Sequence, residues 1–142
     1  MKIVINDTLT KEAQEYAIMS KSFTSNRHDF HEGGLSAKQR KMFEGKLGEK
    51  AIKQFFLDNN IKFIEDNSSD QEADLFDFII FDEENNELKV DVKTRTKNFH
   101  TITLEMVEQM KNNPKDIYFS VRLYDTLPYS VDLIGYTLKK NF

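Results

Sequence analysis

The sequence predicts one α/β domain in which a central mixed β-sheet is flanked by helices. Three observations lead to this prediction. Several segments alternate apolar and polar residues, as half-buried strands do, and others repeat apolar residues at helical spacing. The predicted elements follow in the order helix, three strands, helix and two strands, which is typical of a mixed sheet with helices packed on it. A chain of 142 residues with 39% hydrophobic content is long enough to enclose a single core.

The N-terminal part of this single domain, residues 1–142, is predicted to be a helix followed by a loop. Thr10 is the expected N-cap of a helix that continues through Ala17. A polar segment follows over residues 21–34. Residues 1–35 are therefore expected to form an N-terminal helix and polar loop ahead of the main elements.

The second helix is predicted from a start signal and a stop signal. Ser36 and Gln39 make a capping box at its beginning, and the Asn pair at positions 59 and 60 ends it. Gly45 and Gly48 are expected to interrupt it, because glycine is a poor helix former.

Five strands and one helix are predicted after the second helix. They are a short strand at 61–64, strands at 74–81 and 88–94, a helix that begins at Thr103 and stops at Pro114, and strands at 117–124 and 131–138.

The segment at 88–94 carries the strongest functional signal. On a strand, Leu88, Val90 and Val92 face the core, while Asp91 and Lys93 share the opposite face. A carboxylate and an ammonium are thus aimed together. Metal-assisted hydrolysis of a phosphodiester needs an oxygen ligand for a hard cation and a cationic donor beside the attacking water. A solvated edge strand is the alternative explanation of the same pattern.

A hairpin is predicted to bring a second acidic residue to this strand. The polar residues 82–87 form the expected loop between it and the strand before it. Opposed residues of such a pair lie about 5 Å apart, so Asp77 is expected beside Asp91 or Lys93. A symmetric six-residue loop misses this register by one residue, so a bulge or an unequal loop is expected.

A third acidic residue comes from the second helix. Leu47, Ala51 and Phe55 recur at helical spacing and mark its buried face. Glu49 lies at the edge of that face near the helix start and is expected to point toward the hairpin. An ordinary ion pair between Glu49 and Lys53 is the alternative.

Together these elements resemble the PD-(D/E)XK nuclease superfamily, which has the restriction-endonuclease-like fold. The matching segments are G-K-L-G-E-K-A with Glu49, D-F-I-I with Asp77, and V-D-V-K-T with Asp91 and Lys93. The resemblance implies that Asp77 and Asp91 ligate a divalent metal, Mg²⁺ or Mn²⁺, and that Glu49 completes the metal shell. It further implies that Lys93 activates water or neutralises developing charge, and that the backbone carbonyl of Val92 adds a ligand.

The resemblance covers roughly residues 40–136 and departs from the family pattern in two respects. Phe76 precedes Asp77 where the family name has proline, and Asp74 is a rival for the first metal-ligating carboxylate. The resemblance also places Gln109, on the predicted helix after the hairpin, near the site.

The net charge of −4 is distributed unevenly along the chain. Residues 65–91 contain eleven acids and one base, so the remainder holds thirteen acids and nineteen bases. Basic residues therefore flank the predicted metal site on both sides. Lys46, Arg95 and Lys97 are expected to contact the phosphates of DNA.

Composition excludes several kinds of site. With no cysteine and only three histidines, neither a Cys-rich zinc site nor a disulfide framework is available. No targeting segment or long apolar run is present, so no membrane span is expected and the cytoplasm is the predicted location. A hard metal held by carboxylates is the metal chemistry left open.

The sequence therefore predicts a Mg²⁺- or Mn²⁺-dependent DNA endonuclease. The small size favours a structure-selective or partner-directed enzyme, such as a junction resolvase or a phage or defence nuclease. A homodimer is expected because two DNA strands must be cut by one site per chain. Three alternatives stay open. One is a catalytically inactive nuclease fold that binds nucleic acid or another partner, and one is a sequence-specific restriction endonuclease. The third is an acidic interaction protein whose residues 65–91 mimic the charge of DNA.

Overall fold

A six-stranded mixed sheet forms the centre of the protein. The computed structural model describes residues 1–19, 37–65, 77–96, 115–124 and 126–138. These ranges contain helices α1 (Asp7–Met19) and α2 (Ala37–Asp58) and strands β1 (Lys2–Val4), β2 (Phe63–Glu65), β3 (Phe78–Phe81), β4 (Glu87–Arg95), β5 (Ile117–Tyr124) and β6 (Ser130–Leu138). The strand order is β1-β6-β5-β4-β3-β2, and only the β4–β5 pair among these is parallel. The predicted α/β class with a mixed sheet is confirmed.

Helix α2 covers the central strands because its apolar side chains form a stripe at helical spacing. The stripe and its sheet partners are buried, and they include Phe43, Leu47, Ala51, Ile52 and Phe56 on the helix and Phe78, Val90, Phe119 and Val121 on the strands. Phe56 lies at the centre, with ring centroids 5.4 Å from Phe78 and 6.0 Å from Phe119 in edge-to-face contacts. Helix α1 packs on α2 and adds its own buried residues to this core.

The α2 backbone continues through both glycines, so the expected interruption is wrong. A Cβ on Gly48 would lie 1.9 Å from Oγ1 of Thr94 on β4, whereas a Cβ on Gly45 would meet nothing within 4 Å. Gly48 therefore permits a close approach of helix and strand, and core packing outweighs its propensity cost of about 1 kcal/mol. The predicted stop is confirmed, because the helix ends at Asp58 and Asn60 adopts a left-handed φ of 56°.

Asn6, rather than Thr10, caps helix α1. The side-chain Oδ1 of Asn6 accepts the N–H of Leu9 at 2.8 Å, and its backbone carbonyl accepts the N–H of Thr10 at 3.0 Å. A side-chain acceptor for the third helical N–H is an N-cap interaction, so Thr10 lies within the first turn instead. Strand β1, which precedes this cap and pairs with β6, was not predicted from the sequence.

The other predicted elements divide into those that the structure describes and those outside its ranges. The strands predicted at 88–94, 117–124 and 131–138 correspond to β4, β5 and β6. The polar segment at 21–34 and the helix predicted after Thr103 lie outside the described residues. Neither α1 nor α2 is both long and apolar enough to cross a membrane.

Candidate active site

The hairpin of β3 and β4 sets the register of the site. Phe81 pairs with Glu87, so the loop has five residues, 82–86, and the expected six-residue loop is wrong. The ladder runs without a register shift to the pair formed by Phe78 and Val90. The regular pairing of β3 with β4 therefore starts at Phe78, the residue that follows Asp77.

The loop length is decided by local polar interactions. Oδ1 of Asp82 accepts the backbone N–H of Asn86 at 2.8 Å, and Asn85 adopts a φ of 67°. Asp and Asn side chains favour such turns because they bond to nearby backbone and tolerate the left-handed region. The turn is thereby closed one residue earlier than expected, and Glu87 becomes the first residue of β4.

Asp77 is held against β4 by its backbone and its side chain. Its N–H donates to the carbonyl of Val90 at 2.9 Å, and its Oδ2 accepts the N–H of Val92 at 2.7 Å. A further hydrogen bond joins its side chain to that of Asp91. The residue is only 9% exposed. The carboxyl group of Asp77 thus supplies an acceptor for a strand N–H and meets the Asp91 side chain, as the predicted hairpin requires.

Three carboxyl groups interact at this place. Burial raises the pKa of Asp77, and the negative charges of Glu49 and Asp91 raise it further, to about 9, while the N–H of Val92 acts in the opposite direction. Glu49 comes from α2, so helix and hairpin contribute to one cluster. Protonation of Asp77 at neutral pH relieves part of the repulsion among the three groups.

Two lysines form ion pairs with Asp91 and Glu49, the two acids of the cluster other than Asp77. Nζ of Lys93 lies 2.8 Å from Oδ2 of Asp91, and Nζ of Lys46 lies 3.0 Å from Oε1 of Glu49. The Lys46 ammonium also lies 4.0 Å from the centroid of the Tyr16 ring. Burial alone would lower the pKa of Lys46, but the charge of Glu49 and the hydrogen bond to it raise the pKa above its usual value. Lys46 is therefore part of the cluster.

The side chains of β4 segregate onto two faces as the alternation predicts. Val90 and Val92 are buried against α2, whereas Asp91, Lys93 and Arg95 are half-buried on the other face. The predicted pairing of a carboxylate and an ammonium on one strand face is confirmed by the contact between Asp91 and Lys93.

Arg122 on the neighbouring strand was missed by the sequence reasoning. In the parallel β4–β5 ladder it is the partner of Arg95, and its guanidinium lies 4.7 Å from the centroid of the Tyr124 ring. Alternation within 117–124 already puts Arg122 on the polar face. The pairing of two particular strands, which brings it beside Arg95, is not visible in that alternation.

Two further lysines of α2, Lys50 and Lys53, form ion pairs that stabilise the fold. Lys50 Nζ lies 2.9 Å from Oε1 of Glu12 and 3.1 Å from Oε2 of Glu65. Lys53 Nζ lies 2.7 Å from Oε1 of Glu65. These pairs join α1, α2 and β2, so part of the basic charge near the site is already compensated.

The donor set suits a hard divalent cation, although it is not arranged as a finished metal site. Carboxylate and carbonyl oxygens are the ligands that Mg²⁺ and Mn²⁺ prefer, and Asp77, Asp91, Glu49 and the Val92 carbonyl supply such atoms. Within the described ranges, no group of three or more His, Cys, Asp and Glu side chains converges as a ready-made metal site. The oxygens of Asp91 and Glu49 bond to lysines instead.

Three predicted site residues cannot be placed in this geometry. Asp74, Lys97 and Gln109 lie outside the described residues, so their roles stay predictions.

No family model, no curated protein and no solved structure matches the chain.

Proposed function

We propose that this chain is a metal-dependent DNA endonuclease that hydrolyses phosphodiester bonds. The observation that carries the proposal is that Asp91 contacts both Asp77 and Lys93. Nζ of Lys93 lies 2.8 Å from Oδ2 of Asp91. Glu49 completes an acidic cluster in a partly buried position. Partly buried carboxylates that repel one another are costly to a fold, and their clustering is therefore typical of functional sites.

The cluster and its lysines supply the parts that phosphodiester hydrolysis needs. Asp77, Asp91 and Glu49, with the Val92 carbonyl, would hold Mg²⁺ or Mn²⁺. Such a cation, when bound, polarises the phosphate and lowers the pKa of a coordinated water. Lys93, which pairs with Asp91, would donate to the attacking water or to a phosphate oxygen, where negative charge develops in the transition state.

Charge balance explains why the cluster is stable without a cation. The lysine ammoniums offset two carboxylates, and the raised pKa of Asp77 keeps the third carboxyl group protonated. With a cation at the cluster, Asp77 would serve as a carboxylate ligand, and Lys46 and Lys93 would supply positive charge for the phosphates of the substrate.

The proposed substrate is DNA with a branched or otherwise irregular structure. The lysines beside the acidic cluster suit contacts with phosphates, which carry no base information, so the proposed enzyme is structure-selective or partner-directed and related in activity to junction resolvases or to phage and defence nucleases. Each chain contributes one such cluster within its described residues, so cutting both strands favours a homodimer.

A cleavage assay on substrates of different shape tests the proposal. The purified chain is incubated with labelled duplex, single-stranded and branched DNA, each with Mg²⁺, Mn²⁺ or a chelator. We expect metal-dependent cleavage that is fastest on branched DNA. An Asp91→Asn preparation, purified identically, must lose that activity, because a contaminating nuclease would survive the substitution. Metal-independent binding without cleavage by any preparation would instead favour the inactive nuclease fold.

A further inference from the structure

Two arginines lie side by side on the polar face of the sheet. Arg95 on β4 and Arg122 on β5 are register partners in the parallel ladder, so their Cα atoms are separated by about one strand spacing, 4.8 Å. Both side chains are half-buried. Like charges directly opposed across two strands destabilise a sheet, so this pair needs an anion to compensate it.

The described residues do not supply that anion. No carboxylate in the described ranges lies within ion-pair distance of either guanidinium, and Nε of both Arg95 and Arg122 is buried without a hydrogen-bond partner there. Asp132 is the register neighbour of Arg122 on β6, but its Oδ2 accepts the hydroxyl of Tyr124 at 2.5 Å. The Tyr124 ring lies against the Arg122 guanidinium at 4.7 Å and limits its movement. Among the described residues, the pair is therefore held in place without a compensating carboxylate.

The position of the pair relates it to the acidic cluster. Asp91, Lys93 and Arg95 follow one another at every second residue of β4, on one face of the sheet. Arg95 thus lies about 7 Å beyond Lys93 along the strand. That distance suits a nearby phosphate of the same DNA strand, because successive phosphates rise only about 3.4 Å along the helix axis but are farther apart through space.

We propose that Arg95 and Arg122 together bind a phosphodiester of the DNA backbone that is not cut, within about two nucleotides of the one that is. The proposal rests on the nuclease function for its substrate and adds a positioning site to it. A phosphate between two guanidiniums accepts paired hydrogen bonds, a geometry that arginine provides and lysine does not. It also removes the repulsion between the two arginines, and it fixes the register of the backbone over Asp91 and Lys93.

Affinity measurements test the pair with substitutions that keep its packing. Arg95→Met and Arg122→Met retain the aliphatic stem and remove the charge. Each should weaken DNA binding in Ca²⁺ about tenfold or more and reduce the log-log salt slope by about 0.9, the value of one phosphate contact. Lys11→Ala removes an exposed base from α1 and is the matched control, with an expected change under about twofold. The melting temperature of the arginine variants should stay equal or rise, because repulsion is relieved; a purely structural role predicts a fall.

A scan with neutral phosphates locates the contact. A single methylphosphonate is moved along the DNA strand, and binding of the wild-type chain should weaken at one uncut position within about two nucleotides of the cut. Arg122→Met should no longer respond to that position. Equal responses of wild type and Arg122→Met at every position overturn the proposed subsite.

The outcomes separate this subsite from the proposed enzyme. Normal cleavage and binding by both arginine variants overturn the subsite and leave the nuclease intact. Loss of binding in the variants, in a protein that never cleaves, supports the subsite and overturns the nuclease. A wild-type chain that binds no DNA at low salt overturns both.

Discussion

A hydrogen bond joins the side chains of Asp77 and Asp91, two residues that are both acids. Two carboxyl groups can share such a bond only if one of them keeps its proton. Asp77 is the one that does so, because it is buried and its pKa is raised to about 9. The pair therefore makes the stability of the fold depend on pH and on cations, and both dependences can be measured.

The first prediction concerns pH. The folded-state pKa of Asp77 is raised far above the value of about 4 in an unfolded chain, so its contribution is greatest below pH 4 and is lost as pH rises to about 9. Asp77→Asn imitates the protonated form. It should therefore raise the melting temperature relative to wild type by an amount that grows between pH 5 and pH 9, with about 3–6 °C for each kcal/mol.

The control for this prediction is Asp58→Asn, which changes an exposed acid at the end of α2. Its effect on the melting temperature should be small and the same at every pH. A difference between Asp77→Asn and wild type that does not change with pH would mean that Asp77 is not protonated in the folded protein.

The second prediction concerns the cation. Mg²⁺ or Mn²⁺ at about ten times its Kd should stabilise the chain by about 1.4 kcal/mol, because it binds the folded cluster and not the unfolded chain. Asp77→Ala should abolish this thermal shift, and Asp74→Ala should leave it unchanged. The reverse pattern would give the first ligand role to Asp74. Ca²⁺ should support DNA binding with little cleavage, because its looser coordination positions the water poorly.

The third prediction concerns the close contact between Gly48 of α2 and Thr94 of β4, which holds the helix residue Glu49 near the cluster. Gly48→Ala puts a Cβ 1.9 Å from Oγ1 of Thr94, a β-branched side chain that cannot move aside easily, so α2 must shift away from β4. The variant should lose about 1–3 kcal/mol of stability and much of its metal response. Melting curves with and without Mn²⁺ measure both quantities.

Two further variants make this prediction specific. Gly45→Ala meets nothing within 4 Å and should be neutral or stabilising by up to about 1 kcal/mol, since alanine is the better helix former. Adding Thr94→Ala to Gly48→Ala should restore part of the lost stability. If Gly45→Ala is as harmful as Gly48→Ala, helix geometry rather than the contact with β4 is the cause.

The features predictable from the sequence are those fixed by local periodicity. Alternation along β4 gives the common face of Asp91 and Lys93, and helical spacing gives the buried stripe beside Glu49. The hairpin itself predicts that Asp77 lies near Asp91, but the sequence does not predict the register in which β3 pairs with β4. Register depends on whether Glu87 belongs to the loop or to the strand, and Asp82 decides that through a hydrogen bond within the turn.

The features that could not be predicted depend on contacts between distant parts of the chain. Gly48 looks like a helix breaker until Thr94 is known to lie against it. Arg122 becomes a neighbour of Arg95 only through the parallel pairing of β4 with β5. Lys50 follows Glu49 in the sequence, yet its charge is compensated by two carboxylates from α1 and β2. Periodicity assigns each of these residues a face and leaves its partner undetermined.

The most direct test of the central claim is single-turnover cleavage of branched DNA in Mg²⁺ by Asp91→Asn and Lys93→Ala. Both should cut at least about 10²-fold more slowly than wild type, because charge stabilisation at the phosphate is usually the largest catalytic term. Asp91→Asn should melt at a similar or higher temperature, whereas Lys93→Ala should melt lower but stay folded, because it removes the ammonium that offsets Asp91. Asp58→Asn and Lys11→Ala, which remove exposed charges elsewhere, should cut at the wild-type rate. Near wild-type cleavage by a stably folded Asp91→Asn or Lys93→Ala would show that this strand is not the active site.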